Sequence, residues 1–453
     1  MEPFRFHVFV CDQQKPEGVP CCGARGSAKV LEILRREIGA RGLADEVQVT
    51  ACGSLGLCEH GPNMVVYPEG IWYSAVTAED VAEIVRSHFE EGVPLERLMR
   101  TDPAELRAEI IGNREKMLAA RRAREESGAL PEDLFERIRA YQESRAILTA
   151  LELNAFTAVG AGTTAQAAAE KMGTDARATE MLFNALTAMG LLVKRDGVFH
   201  NAPVSARYFA AGSKDNARPA LLHMAHLWAR WSHLTESVRK GSAVELEDFE
   251  DRGLDWTDAF IAAMHRNAGE RAPHVVRAVG LAGVRRMLDV GGGSGAYSIA
   301  FAQANPELTA EILDLPTVEP IAQCHIDAAG LRDRIAIRTG DLRADDLGSG
   351  YDLVLVSAVC HMLSPEENRD LLRRCRAALA PGGRVVIQDF ILEPDKTAPR
   401  WAALFALNML VGTRAGSNFS EVEYREWLEA AGLVDVRRVR LPGPAGLMIG
   451  ARP

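Results

Sequence analysis

The chain has 453 residues, more than one hydrophobic core usually holds, so two or three domains are expected. A net charge of -10 argues against nucleic acid or an anionic membrane surface as partner, and no apolar run approaches the length of about 18 residues that a membrane span needs. The opening Met1-Glu2-Pro3-Phe4-Arg5-Phe6 lacks the basic-then-apolar order of a signal peptide, so a cytoplasmic location is expected.

The first pattern along the chain is an α/β alternation. Residues 6–10 read as a strand running into Cys11, residues 27–40 as an amphipathic helix with Val30, Leu31, Leu34 and Ile38 on one face, and residues 47–51 as a strand running into Cys52. Residues 63–67 and 71–76 read as a hairpin turned by Pro68-Glu69-Gly70, and Thr77 with Asp80 as the start of a helix through Phe89. Cys11, Cys21, Cys22, Cys52 and Cys58 crowd this segment, whereas the rest of the chain holds only Cys324, Cys360 and Cys375. Disulfides are disfavoured in a reducing compartment, so the early group reads as metal or cluster ligands and the later three as packed core thiols.

This segment, about residues 4–99, resembles the thioredoxin-like [2Fe-2S] ferredoxins. The resemblance rests on His-Val-Phe-Val-Cys at 7–11, Cys22-Gly-Ala-Arg-Gly-Ser, and Cys58-Glu-His-Gly-Pro followed by Met64-Val65-Val66-Tyr67-Pro68. It implies a cluster held by Cys11, Cys22, Cys58 and one further ligand, and an electron-transfer partner. The family's third cysteine lies four residues before the last, where this chain has Ser54. Cys52 restores the usual four thiolates if the glycine-containing 53–57 loop bends back; Ser54 is the alternative, as an oxygen ligand, and Cys21 the alternative to Cys22.

Residues 101–132 are charged and helix-prone, with Arg121, Arg122 and Arg124 followed by Glu125 and Glu126, and read as a solvated linker. From Leu134 the pattern turns apolar and helical, through Ile138, Tyr141, Ile147, Leu148, Leu151 and Phe156. Thr163-Thr164 and Asp175 each begin a short helix, and Gly190 to Lys194 lead into a hairpin ending at Phe199-His200. This helical, winged-helix arrangement is a DNA-reading shape, but the acidic balance and the lack of a dense basic helix argue against that use. His223, His226 and His233 fall near one helical face beside Trp228 and Trp231; without a carboxylate or cysteine to complete a ligand set they read as structural.

The run Met287-Leu288-Asp289-Val290-Gly291-Gly292-Gly293-Ser294-Gly295-Ala296 is an apolar strand opening into a glycine loop, where backbone N–H groups can approach a nucleoside-bearing cofactor. Gly291, Gly293 and Ala296 also meet the loose dinucleotide fingerprint. Asp289 separates the two readings: a carboxylate at the mouth of the loop repels a pyrophosphate but favours the sulfonium and ammonium of S-adenosylmethionine. Asp314 then reads as a ribose acceptor ending a second strand, Arg338-Thr339-Gly340-Asp341-Leu342 as a third strand end meeting an adenine edge, and residues 351–359 as a buried strand running into Cys360-His361.

Leu-Asp-Val-Gly-Gly-Gly at 288–293, Asp-Leu-Pro at 314–316, Gly-Asp at 340–341, and His361 followed by Cys375 in Leu-Leu-Arg-Arg-Cys resemble the class I O-methyltransferases that include the plant phenolic, acetylserotonin, carotenoid and polyketide enzymes. The resemblance covers about residues 133–453. It implies a Rossmann-like methyltransferase domain at 241–453 behind a winged-helix dimerisation domain at 133–240, a homodimer, and a small hydroxylated acceptor. It implies S-adenosylmethionine held by Asp289, Gly291, Gly293, Gly295, Asp314, Leu315, Gly340, Asp341, Leu342 and Ser357, and His361 as general base. An acceptor pocket of Met264, His265, Asn408 and Met409 is implied as well. Relatives follow this histidine with Asp-Trp, whereas here Met362-Leu363 follow. The whole reads as an α/β multi-domain protein: a thioredoxin-like domain (1–100), a linker (101–132) and the two methyltransferase domains. The competing readings are a redox protein using the same fold for other chemistry, and a sensor that binds S-adenosylmethionine without turnover.

Overall fold

The computed structural model describes residues 3–15, 20–126, 130–246 and 254–453. It forms two compact units, residues 1–138 and 139–453.

The first unit is a four-stranded sheet in the order β2-β1-β3-β4, made of β1 (Phe6–Cys11), β2 (Val47–Cys52), β3 (Met64–Tyr67) and β4 (Ile71–Tyr73). β1 and β2 run parallel, which requires a crossover. Helix Ser27–Ala40 supplies it and buries Val30, Leu31, Leu34 and Ile38 against Val8, Val10 and Met64. β4 stops earlier than the alternation suggests, because Ala75 turns to a φ of 54° and Ala75 N and Val76 N donate to the carbonyls of His60 and Pro62 instead of to a strand. The helix beginning at Asp80 is fixed as expected, with Asp80 Oδ2 accepting from Thr77 N and Oγ1 at 2.8 and 2.7 Å.

The expected linker is a helix, Pro103–Glu126, but its first half is not a solvated spacer. Leu106 is buried, Arg100 pairs with Glu109 at 2.7 Å, and Asn113 Nδ2 donates to Gly56 O at 2.8 Å. The helix therefore packs onto the cysteine-bearing loops of the first unit.

The second unit opens with short helices. Thr164 and Asp175 cap helices Ala165–Met172 and Ala176–Ala188 by accepting from Ala167 N and Ala178 N, as their side-chain oxygens should. β5 (Leu192–Arg195) and β6 (Val198–Asn201) form the hairpin, and Phe156, Phe183 and Phe199 fill the small core.

The rest of the unit is a seven-stranded sheet in the order β12-β13-β11-β10-β7-β8-β9. Its strands are β7 (Arg286–Val290), β8 (Thr309–Asp314), β9 (Ile335–Thr339), β10 (Tyr351–Ser357), β11 (Leu379–Asp389), β12 (Val434–Arg440) and β13 (Gly446–Ala451). Met287, Leu288, Val290, Leu353, Val354, Leu355 and Val356 are completely buried, as strands covered on both faces must be. The five strands from β11 to the β9 edge are parallel, β13 and β12 pair antiparallel beyond β11, and the order reverses between β7 and β10. That reversal opens a crevice beyond the carboxyl ends of the strands, where ligands of such sheets bind.

Candidate functional site

The loop after β7 adopts the backbone its glycines allow, with φ of 67° at Gly291, 55° at Gly293 and 73° at Gly295. A Cβ at Gly291 would lie 2.7 Å from Val359 Cγ2 and 3.4 Å from Leu342 Cδ2, so protein fills that side; a Cβ at Gly293 would meet nothing within 4 Å. Gly293 thus faces the open crevice. Asp314, ending β8, accepts from Gly293 N at 2.7 Å and from Leu315 N at 2.8 Å. Beyond β9, Asp341 donates its N–H to Asp345 Oδ2 and accepts from Arg343 N, both at 2.8 Å, which holds the turn carrying Gly340 and Leu342.

Asp289 corrects one expectation. It lies beneath the glycine loop and fully buried rather than at its mouth. Ser298 Oγ donates to its Oδ2 at 2.7 Å, whereas Oδ1 has no partner among the described residues. Burial, with Asp314 adding to it, pushes its pKa up to about 7. Ser357 and Tyr297 both donate to Gln388 Oε1 at 2.8 Å, and the buried Gln388 Nε2 likewise has no partner among the described residues. An orphaned acceptor and an orphaned donor at one strand rim fit a polar cofactor carrying both charge signs.

His361 sits in the single turn Cys360–Met362 after β10. Its Nδ1 lies 2.7 Å from Asp389 Oδ1, on the end of β11. Asp389 also accepts from Phe390 N at 2.8 Å, His361 N at 3.2 Å and Tyr424 OH at 3.1 Å. So many donors fix the carboxylate, which in turn orients the imidazole and leaves Nε2 to accept a proton. Burial and Asp389 hold the Tyr424 phenol well above its ordinary pKa, so it remains a donor. Sequence reasoning missed Asp389; its one signal was a carboxylate closing a buried strand, as at Asp289 and Asp314.

Phe405 lies edge-on to His361 with ring centroids 5.1 Å apart, and Phe390 packs on Phe405 at 4.7 Å. Phe405 belongs to helix Arg400–Gly412, which also carries Asn408 and the buried Met409; Trp231 Nε1 donates to Asn408 Oδ1 at 2.9 Å. Met264 is half-buried on helix Leu254–Val279. His265, its neighbour, sits at the glycine loop: Nδ1 is 2.8 Å from Ser294 Oγ, and its ring stacks on His325 at 3.8 Å. Burial lowers both histidines' pKa values, and His325 lowers that of His265 further. His223 packs among Trp256 and Phe260, matching the structural reading.

In the first unit, the sulfurs of Cys11, Cys22 and Cys58, all buried, lie within 4.8 Å of one another. Cys52 is outside this group. The β1–β2 ladder places it opposite Cys11 and Asp12 N donates to its carbonyl at 2.9 Å, so the loop that was expected to fold back starts beyond it. Ser54 Oγ stands 3.4 Å from Cys58 Sγ. Cys21 is turned to Ala24 N at 3.3 Å. The Cys22 thiol, together with backbone N–H groups of Gln13 and Leu55, brings Cys11 down to about 6 against the effect of burial. Cys11 in turn raises Cys22. Of the later cysteines, Cys360 and Cys375 are core thiols, but Cys324 is exposed, against expectation. Among the described residues no helix is long and apolar enough to cross a membrane.

Residues 135–211 match the O-methyltransferase dimerisation domain and residues 231–434 the O-methyltransferase domain. Over 318 residues the chain is 36% identical to the 3-hydroxy-5-methyl-1-naphthoate 3-O-methyltransferase of Streptomyces sahachiroi, covering 68% of this chain and 92% of that protein. It is 30% identical to the mouse (Mus musculus) acetylserotonin O-methyltransferase, over 70% of this chain and 88% of that one. Among solved structures, PigF with SAH superposes with a TM-score of 0.66 at 28% identity, covering 71% of this chain and all of that one; a related sequence of that name comes from a Serratia species. The chain therefore belongs to the O-methyltransferase family and is an S-adenosylmethionine-dependent O-methyltransferase carrying that family's dimerisation domain.

Proposed function

We propose that the enzyme methylates a hydroxyl on a small aromatic or polyketide-like acceptor, with His361 as general base and Asp389 as its positioning partner. The observation that carries this reading is the buried His361–Asp389 pair at 2.7 Å facing the Phe405 ring. When bound, S-adenosylmethionine supplies an electrophilic methyl on a good leaving group. What is left for the protein is alignment and deprotonation. Gly291, Gly293, Gly295, Gly340, Asp341, Leu342 and Ser357 would line the cofactor, Asp314, steadied by the Leu315 N–H, would accept from its ribose, and Asp289 would face its cationic end. His361 Nε2 would take the hydroxyl proton, a contribution of about 10²–10⁴-fold, and the imidazolium formed is stabilised by Asp389. Phe405, Phe390, Met264, Asn408 and Met409 would hold a flat acceptor. The Streptomyces sahachiroi relative is named for a hydroxynaphthoate, which supports a phenolic hydroxyl.

The reading includes a homodimer, supported by the dimerisation match and by the exposed apolar residues Leu134, Phe135, Ile138 and Tyr141. It also includes a [2Fe-2S] cluster on a thioredoxin-like first unit, with an electron-transfer partner. The strand order β2-β1-β3-β4 with its parallel pair and the three converging buried thiols fit that group, and the backbone N–H groups aimed at Cys11 favour anionic sulfur. The cluster would supply one-electron chemistry or a redox-dependent charge. Labelled methyl transfer to a panel of phenols, run with the protein oxidised and reduced, tests the whole. Methylated product supports the enzyme; a dependence on redox state supports a regulatory cluster. Redox turnover without methyl transfer would favour the redox-protein reading.

A further inference from the structure

We propose that Ser54, and not Cys52, is the fourth ligand of the iron–sulfur cluster, an assignment that rests on the reading of the first unit as a cluster carrier. Three thiols converge and a fourth ligand is needed; the Ser54 hydroxyl stands beside the group, its Oγ 3.4 Å from Cys58 Sγ. The loop holds it there. Gly56 N donates to Ser54 Oγ at 3.1 Å, and the Leu55 N–H points at Cys11. Asn63 Nδ2 ties Leu57 O at 2.7 Å to Cys22 Sγ at 3.4 Å.

Helix Pro103–Glu126 pins the same loop from its other side. Asn113 holds Gly56 O at 2.8 Å, and a Cβ at Gly56 would lie only 3.0 Å from Ile110 Cγ2. Cys52, on the last rung of the β1–β2 ladder opposite Cys11, lies outside the three converging thiols, and bringing it to the fourth position would shift the loop that these contacts hold. Placing Ser54 there moves little.

The chemistry is compatible. Ligation forms an Fe–O bond, releases the hydroxyl proton to solvent, to which Ser54 is exposed, and transfers no electron. An alkoxide carries the same charge as a thiolate, so the ligand set keeps its net charge. It is a harder donor and favours ferric over ferrous iron. The cluster should therefore absorb at shorter wavelength and have a more negative reduction potential than its all-thiolate counterpart.

The test uses the full-length protein, purified anaerobically. Iron and sulfide should be ~2 each per chain, and Cys52→Ala should leave both the metal content and the visible spectrum unchanged. Ser54→Ala should lose most of the iron. Ser54→Cys should retain it, with bands moved to longer wavelength and a less negative potential. Loss of the cluster in Cys52→Ala with retention of an unaltered spectrum in Ser54→Ala would overturn the assignment, as would a Ser54→Cys spectrum identical to wild type. Failure of the underlying reading looks different: wild-type protein without iron and sulfide after reconstitution, or with zinc alone.

Discussion

The two candidate sites are held by different physical means. At the rim of the large sheet, each polar group stands at the end of a strand buried on both faces, so strand register sets its position. Asp314, Asp389 and Asp289 are then fixed by backbone N–H or hydroxyl donors. Of the cysteine group only Cys11 ends a strand; Cys22 and Cys58 sit on loops, tied by Asn63 and by a helix from outside the sheet. A register-built site cannot exchange one residue for its neighbour without flipping a side chain to the other face. A loop-built site can, which is why both Ser54 and Cys52 come into question as a fourth ligand of the proposed cluster while the rim offers no such choice.

The comparison can be broken most forcefully at the glycine loop. Gly291→Val forces a β-branched residue to a φ of 67° with its Cβ 2.7 Å from Val359, which should cost about 3 kcal/mol of stability. That is a packing defect, and not the filling of ligand space that the sequence pattern suggests. Gly293→Ala points into the crevice instead and should cost about 1 kcal/mol while weakening S-adenosylmethionine binding. Denaturant melts and calorimetry on the two variants separate the effects; equal stability loss in both would contradict a rim fixed by register.

A smaller effect concerns proton linkage at Asp289. With burial raising its pKa from 3.8 to about 7, the carboxyl of the ligand-free protein should be neutral only below about pH 7. Its contribution to stability is present below about pH 4 and is lost as pH rises toward 7. A cationic cofactor needs the carboxylate, so affinity for S-adenosylmethionine should rise about tenfold between pH 6 and 8, and the rise should vanish in Asp289→Asn. Wild-type affinity that is flat with pH would show that Asp289 does not meet the cation.

The smallest effect sharpens the other half. Asn113→Ala removes one hydrogen bond from the cysteine loop, worth about 1 kcal/mol. It should speed loss of iron from the first unit and leave methyl transfer unchanged; unaltered iron retention would mean that the helix does not hold the loop.

Much of this was legible in the residues. Helix Ser27–Ala40 and the hairpin β5–β6 follow from local periodicity and turn chemistry, and the glycine loop from its own motif. What was not legible depends on partners distant in sequence. Asp389 looks like any strand end until β10 and β11 lie side by side and bring it to His361. Cys52 closes β2 opposite Cys11, a register that shows only once β1 and β2 are paired. The helix after residue 103 has a charged composition that hides a docking edge of Leu106, Ile110 and Asn113, one helical turn apart at each step. His265, beside a pocket methionine in sequence, points instead to Ser294.

The central claim is that methyl transfer depends on the His361–Asp389 pair, apart from cofactor binding. Its most direct test is to measure S-adenosylmethionine affinity by calorimetry and single-turnover transfer to a phenolic acceptor in wild type, His361→Ala and Asp389→Asn. Affinity should stay near wild type in all three, with transfer reduced about 10²–10⁴-fold in His361→Ala and about 10²-fold in Asp389→Asn. Transfer undiminished in His361→Ala would contradict the claim.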